Sequence, residues 1–203
     1  MRYFTPLSPS RNAVLALSAA LTFLSFPTFA QVVSTAPAAA VATETPKRDP
    51  VSKHLGDIIT KGGWELYLPI YTYHMPYAYT ESLLRSYNDS PWGAGIGRGR
   101  FNEHGNWEGI FMMEFADSHA KPEYQGGYAW MAMWHPWKNE VRTGLGYTAF
   151  ITARSDYWGY RPFPGVLPVA GIGYKHVDLQ STFVPGLKNN GNVLFTWLKF
   201  SFY

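Results

Sequence analysis

The chain has 203 residues, of which 46% are hydrophobic, enough for one domain with a sizeable core. Aromatic residues make up 17% of the chain and charged residues only 15%, whereas charged residues account for roughly a quarter of an ordinary soluble domain. The absence of cysteine excludes disulfide scaffolds, thiolate metal sites and cysteine nucleophiles. The formal charge of +3 falls to +1 without Arg2 and Arg11, so the chain lacks the positive charge that nucleic-acid binding requires.

The first 50 residues have the pattern of an export signal followed by a linker. Two arginines precede an apolar run over 13–26, and small residues follow it, which predicts a signal peptide over 1–30. The run is too short for a membrane-spanning helix, which needs roughly twenty apolar residues. Residues 31–50 are rich in Ala, Thr and Pro and predict a flexible tether.

Residues 51–63 predict a short amphipathic helix at a membrane surface. Apolar side chains recur there at helical spacing, at Val51, Leu55, Ile58 and Ile59. Gly56 weakens so short a helix, and a continuation of the tether is the alternative.

Residues 64–203 predict an all-β fold, an eight-stranded antiparallel transmembrane barrel of the outer-membrane type. Hydrophobicity follows a period of two in segments of about ten residues, and short turns alternate with longer loops. The eight segments begin near Trp64, Pro91, Asn106, Glu123, Val141, Val166, His176 and Gly191. A soluble β-sandwich or lipocalin-like barrel is the alternative, but the scarcity of charge and the many Trp and Tyr residues favour a membrane barrel.

Two predicted strands indicate which side chains face lipid. In the third strand we assign the apolar parity, Trp107, Phe111, Met113 and Phe115, to lipid, and the parity of Glu108 and Glu114 to the lumen. In the last strand we assign Leu194, Leu198, Phe200 and Phe202 to lipid, and Phe195, Trp197, Lys199 and Ser201 to the lumen. A lumen that is apolar toward its outer end predicts a pocket for an apolar ligand.

Four prolines lie within or beside the predicted strands, at Pro69, Pro91, Pro168 and Pro185. Each proline lacks a backbone donor, and an unsatisfied partner costs several kcal/mol in hydrocarbon. If the two prolines of each strand pair lie close together, they mark two lateral openings for lipids. Ordinary strand ends are the alternative.

Three polar residues are predicted to meet at the outer rim. His74 ends the first strand, and Asp117 and Ser118 end the third, which runs in the same direction. An imidazole, a carboxylate and a hydroxyl together can form an acyl-transfer site. A turn beside an interfacial histidine is the alternative, and His119 and His135 are other candidates. No histidine pair has the spacing of metal ligands, so we expect neither metal nor cofactor.

Several motifs in one order resemble the lipid A palmitoyltransferase family, PagP. They include Tyr67-Leu68-Pro69-Ile70, Pro91-Trp92-Gly93, Phe115-Ala116-Asp117-Ser118, Gly127-Tyr128-Ala129-Trp130 and Asn189-Asn190-Gly191. The resemblance covers nearly all of 64–203. It implies an outer-membrane barrel that moves a palmitoyl chain from a glycerophospholipid to lipid A, and we expect it to act as a monomer. An outer-membrane phospholipase and a non-catalytic lipid-binding barrel are the alternatives.

The resemblance also assigns roles to individual residues. It implies that His74, Asp117 and Ser118 are essential and that the four prolines border lateral openings. It also implies that Ala129 and Tyr128 bind the acyl chain, and Ala129 stands where the acyl-measuring pocket of the family has a glycine. One added methyl group there shortens the accepted chain, so we expect a preference below palmitate unless Met131 or Met133 compensates. Both a covalent acyl-serine and direct attack by the acceptor hydroxyl are compatible with the sequence.

Overall fold

The computed structural model describes residues 51–136, 140–157 and 159–203, and the predicted signal peptide and tether lie outside this part of the chain. Eight antiparallel strands form a closed barrel in which β1 also pairs with β8, which confirms the predicted fold. The elements are α1 (Val51–Lys61), β1 (Gly63–His74), a 3₁₀ turn (Pro76–Ala78), α2 (Glu81–Leu84), β2 (Gly93–Phe101), β3 (Trp107–Ala116), β4 (Pro122–Trp134), β5 (Val141–Arg154), β6 (Phe163–Tyr174), β7 (Val177–Val184) and β8 (Val193–Phe202). Neither described helix has the length and apolar character needed to cross a bilayer.

The two ends of the barrel differ in their connections. At one end, here called the loop end, the strands are joined by residues 75–92, 117–121, 155–162 and 185–192. At the opposite end, the turn end, the connections include 102–106 and the two-residue turn 175–176. The connections agree with the predicted asymmetry between outer loops and inner turns except at 117–121, which is no longer than 102–106. Helix α1 precedes β1 and therefore lies near the turn end.

Helix α1 packs on the outside of the barrel against β2 and β3, which confirms the predicted helix. Ile58 is its buried apolar residue. The helix ends at Lys61, because the Gly62 N–H donates to the Ile58 carbonyl and the chain then enters β1. A Cβ atom at Gly62 would lie 2.4 Å from that carbonyl oxygen, so only glycine allows this close passage from helix to strand.

The face assignment of β3 was wrong. The apolar parity of Trp107, Met113 and Phe115 faces the barrel interior, and Glu108 faces outward. The charge on Glu108 is tolerated on the outer face because helix α1 covers it. His54 Nε2 lies 2.9 Å from one carboxylate oxygen, and Arg100 Nε donates to the other at 2.8 Å.

The face assignment of β8 is confirmed. Phe195, Trp197, Lys199 and Ser201 are buried in the interior, and the opposite parity is more exposed. The interior therefore changes along this strand from aromatic near the loop end to charged and polar near the turn end.

Buried ion pairs fill the interior near the turn end. Lys199 Nζ lies 2.9 Å from Glu65 Oε1 and 3.3 Å from Asp178 Oδ2, and Arg142 donates to both oxygens of Asp178. The Trp107 indole also donates to Glu65, at 2.9 Å. Because these charges are paired and hydrogen-bonded, they can be buried here without the penalty of an isolated charge. They close the barrel below the aromatic zone.

The strand ladder is interrupted at two places toward the loop end. The pairing of β1 with β2 extends from Gly63↔Gly99 to Tyr67↔Gly95, and that of β6 with β7 from Tyr174↔Val177 to Val169↔Thr182. Beyond these pairs the neighbouring strands separate, at the residues that follow Tyr67 on β1 and precede Val169 on β6.

The prolines border the two openings. Pro69 lies on β1 just beyond its last pair with β2, and Pro91 lies in the loop that leads into β2. Pro168 lies on β6 just beyond its last pair with β7, and Pro185 follows the end of β7. The Thr182 hydroxyl donates to the Pro168 carbonyl at 2.7 Å and satisfies that acceptor.

Candidate functional site

The loop-end half of the barrel contains a chamber of about 260 Å³. Aromatic and aliphatic side chains from many strands form most of its wall: Tyr67, Trp107, Met113, Phe115, Ala129, Val169, Phe195 and Trp197. Tyr67 and Trp107 also hydrogen-bond to Glu65, so the chamber floor rests directly on the ion-pair zone. A mainly apolar chamber with a few polar groups at its mouth is suited to a hydrocarbon chain that carries a polar end.

His74 lies at the mouth of this chamber, between a carboxylate and a hydroxyl. Its Nδ1 is 2.9 Å from Asp89 Oδ1, and its Nε2 is 2.9 Å from Ser118 Oγ. The His74 side chain is buried, whereas Asp89 is 51% exposed. If Nδ1 carries the proton and donates it to Asp89, Nε2 is an acceptor that can take the hydroxyl proton of Ser118.

Two tyrosines of the loop 75–92 hold the imidazole ring. Tyr87 stacks on it at a centroid distance of 4.8 Å, and Tyr79 contacts it edge-on at 5.5 Å. The Tyr79 hydroxyl donates to the Gly191 carbonyl in the loop before β8. Burial raises the pKa of Tyr79 above its ordinary value, so this hydroxyl keeps its proton and remains a donor.

The structure brings His74 and Ser118 together, but the carboxylate beside the imidazole is Asp89 and not Asp117. Asp117 Oδ1 instead accepts the backbone N–H groups of His119 at 2.8 Å and Lys121 at 2.9 Å. Asp117 thus shapes the turn that presents Ser118. The sequence analysis missed Asp89, because an Asp between Asn and Ser-Pro has the appearance of an ordinary turn residue.

The sequence is similar to those of known proteins. Residues 54–199 match the sequence profile of the family described as "Antimicrobial peptide resistance and lipid A acylation protein PagP". The chain belongs to the PagP family. Two similar relatives are both named "Lipid A acyltransferase PagP". The protein of Pantoea ananatis is 48% identical over 139 residues, which cover 68% of this chain and 73% of the relative. That of Cronobacter turicensis is 44% identical over 190 residues, which cover 90% and 96%.

In this PagP family member Ala129 lines the chamber and Tyr128 lies outside it. Ala129 is buried between Gly109 on β3 and Thr148 on β5. Tyr128 has the opposite parity and contacts His54 of helix α1, with ring centroids 6.4 Å apart. Met131 is the next residue of β4 that faces the interior. It is buried, and its sulfur accepts a hydrogen bond from the Gln180 side-chain amide.

The two alternative histidines lie at opposite ends of the barrel. His135 follows β4 at the turn end, far from the chamber mouth. His119 follows Ser118 at the loop end, with Nδ1 4.0 Å from Asp117 Oδ2 and 3.8 Å from Asp156 Oδ2. One nitrogen of His119 and one carboxylate oxygen each of Asp117 and Asp156 all lie within 4.8 Å of one another. Within the described residues, these three side chains form a group that could hold a metal ion.

Proposed function

We propose that this chain is an outer-membrane enzyme that transfers a long acyl chain, of sixteen carbons or slightly fewer, from a glycerophospholipid to lipid A of lipopolysaccharide. The observation that carries the proposal is the His74 imidazole, held between Ser118 and Asp89 at the mouth of an apolar chamber. The names of the relatives support lipid A as the acceptor. The exposed aromatic side chains of the barrel surface, among them Trp64, Trp92 and Trp134, support a membrane location.

The chamber dimensions support a long acyl chain. His74 and Tyr67 lie on the same strand, and both line the chamber, His74 at its mouth and Tyr67 at its floor. Seven residues of extended strand span about 23 Å, which a tilt of about 40° reduces to about 18 Å along the barrel axis. An acetyl or butyryl group would leave most of this depth unfilled, whereas a long saturated chain reaches the floor.

His74 acts as the general base in this proposal. With Nδ1–H donated to Asp89, Nε2 removes the proton of the attacking hydroxyl while the oxygen attacks the ester carbonyl carbon of the donor. The tetrahedral intermediate then releases the glycerol oxygen, which takes the proton from the imidazolium. One ester replaces another, so the reaction requires neither a redox step nor an activated nucleotide.

Two routes use the same base. In the first, Ser118 attacks the donor and forms an acyl-serine, which the lipid A hydroxyl then cleaves. In the second, the lipid A hydroxyl attacks the donor directly and Ser118 binds the ester region. The distance of 2.9 Å between Ser118 Oγ and His74 Nε2 favours the first route, because this nucleophile already contacts its base. Asp117 supports either route by holding the turn on which Ser118 lies.

The donor reaches the chamber from the side. Both openings of the ladder lie on the loop-end side of the chamber floor, and a phospholipid chain in the surrounding leaflet would pass through one of them. The prolines at these positions remove backbone donors that would otherwise face hydrocarbon without a partner.

Mass spectrometry of lipid A from cells that express the protein tests the proposal. We expect an added acyl mass with the wild type and with His104→Ala, which alters an exposed histidine in the 102–106 turn, but not with His74→Ala. If correctly inserted wild-type protein adds no acyl mass, the proposal is wrong, and release of free fatty acid would then identify a phospholipase. An acyl adduct on Ser118, trapped in a single turnover, distinguishes the covalent route from direct transfer.

A further inference from the structure

Three donor residues come together on the loop end beside Ser118. Asp117 and His119 lie on the turn after β3, and Asp156 lies on the loop after β5. The nearest donor atoms are separated by 3.8–4.0 Å, which is too far for a direct hydrogen bond. In a tetrahedral zinc site with bonds of about 2.0–2.2 Å, neighbouring donors are roughly 3.4 Å apart. All three donor atoms lie within 4.8 Å of one another, so small side-chain shifts would bring them to the spacing of a metal site.

The second oxygen of Asp117 is the observation that indicates a ligand. The Asp117 side chain is 1% exposed, and its Oδ1 is fully used by two backbone N–H groups of the turn. Its Oδ2 is buried and has no hydrogen-bond partner within the described residues, although it is directed toward His119. A buried carboxylate oxygen without a partner is costly, and a cation between Asp117 and His119 removes that cost.

We propose that Asp117, His119 and Asp156 form a binding site for a divalent transition-metal cation, with Zn²⁺ the best match to the donors. Zn²⁺ is bound by imidazole nitrogen and by carboxylate oxygen, whereas Mg²⁺ and Ca²⁺ prefer oxygen ligands alone. The carboxylates of Asp117 and Asp156 supply negative charge, part of which Arg154 already neutralises. Three protein ligands leave a fourth position for water or for an anionic group of a bound lipid.

Arg154 orients the third ligand. Its Nε and Nη2 donate to the two oxygens of Asp156, at 2.7 Å and 3.0 Å. Each oxygen of a carboxylate has a second lone pair, so Asp156 can bind an ion while it accepts these bonds. Arg154 Nη1 also lies 3.6 Å from a carboxylate oxygen of Glu123. This second carboxylate partly neutralises the guanidinium and so reduces the repulsion between Arg154 and the bound cation.

The ion would connect two loops at the chamber mouth. It would join the turn that contains Ser118 to the loop after β5, and the His119 ring already contacts Tyr87 edge-on at a centroid distance of 5.5 Å. Tyr87 in turn stacks on His74. Metal binding can be measured without an activity assay, so failure of this proposal can be distinguished from failure of the proposed acyl transfer.

Calorimetric titration of untagged, detergent-solubilised protein, first treated with a chelator, tests the site. We expect the wild type to bind one Zn²⁺ per chain and to bind Mg²⁺ far more weakly. His119→Ala and Asp156→Asn should each weaken Zn²⁺ binding at least about tenfold, whereas His104→Ala, which removes an exposed histidine elsewhere, should not. Circular dichroism establishes that each variant remains folded.

Cobalt substitution provides a second measurement, because tetrahedral Co²⁺ absorbs visible light far more strongly than hydrated Co²⁺. We expect this absorption with the wild type and its loss in His119→Ala. The proposal is overturned if the wild type binds no Zn²⁺, or if His119→Ala and Asp156→Asn bind it as tightly as the wild type does.

Discussion

Replacing Ala129 by glycine should lengthen the acyl chain that the enzyme prefers. The Ala129 methyl group projects into the chamber between Gly109 and Thr148, and the residue is only 5% exposed. Removing this methyl group provides space for about one more methylene of the acyl chain, and burial of that methylene stabilises the bound chain by roughly 0.8 kcal/mol. Hydrophobic pockets discriminate one methylene by about 1–3 kcal/mol. The preference for the longer of two neighbouring donors should therefore rise by about 4- to 200-fold.

A competition assay measures this change. Purified enzyme receives an equimolar mixture of phospholipids with saturated chains of twelve to sixteen carbons, and mass spectrometry of the lipid A product gives the ratio of transferred chains. Ala132→Gly is the matched control, because it makes the same backbone change on the opposite face of β4. If Ala129→Gly gives the product ratio of the wild type and of Ala132→Gly, the methyl group of Ala129 does not measure chain length.

Three other changes test the remaining parts of the structure. Asp89→Asn replaces a charge-assisted hydrogen bond of roughly 1.5–3 kcal/mol by a neutral one of roughly 0.5–1.5 kcal/mol and should lower kcat by about tenfold in the transfer assay; an unchanged kcat would contradict its positioning role. Lys199→Met leaves the buried Glu65 carboxylate without its cation, while Asp178 keeps Arg142, and should lower the free energy of unfolding in detergent by about 3–5 kcal/mol. Lys188→Met, which changes an exposed loop lysine, is the control. If the two variants had the same free energy of unfolding, the stabilising role of Lys199 would be contradicted. Hydrogen bonding from Lys61 lowers the pKa of Asp57 below its ordinary value of 3.8, so this pair stabilises helix α1 above that value and ceases to do so as the pH falls through the lowered pKa. The protection of the α1 amides, measured relative to their intrinsic exchange rates, should fall over that pH range in the wild type but not in Asp57→Asn.

The number, order and approximate limits of the strands could be predicted, because membrane barrels combine a period of two with regular turns. The direction of each face was harder to predict. In β8 the residues that face the interior include Lys199. Where nothing covers the outer face of a strand, a charged residue favours the interior, so the prediction was correct there. In β3 the same argument failed, because helix α1 covers Glu108 and the chamber needs the apolar parity for its wall. A helix that packs on a barrel thus allows the outward charge at Glu108, whereas Glu114, of the same parity, is exposed on the outer face.

The candidate site was predictable to the extent that strand direction determines position. His74 is the last residue of β1 and Ser118 follows β3, both strands run toward the loop end, and the two side chains meet. Asp89 lies in the connection 75–92, whose path depends on tertiary contacts such as the bond from the Thr72 N–H to the Asp89 carbonyl. Such tertiary contacts leave no periodic pattern in the sequence from which they could be predicted. The same limit applies to Asp156, which reaches His119 from a separate loop.

The two ladder openings and the chamber floor coincide, and this coincidence has a physical reason. The last pairs of β1 with β2 and of β6 with β7 involve Tyr67 and Val169, which are also buried residues of the chamber wall. Below this level the interior holds paired charges, and an opening would expose them to hydrocarbon at a large cost. Above it the interior is itself largely apolar, so a gap between strands brings lipid chains into contact with similar surface. The barrel can therefore open to the bilayer only where its interior already resembles the bilayer, and a chain that passes through either opening meets the floor as its lower limit.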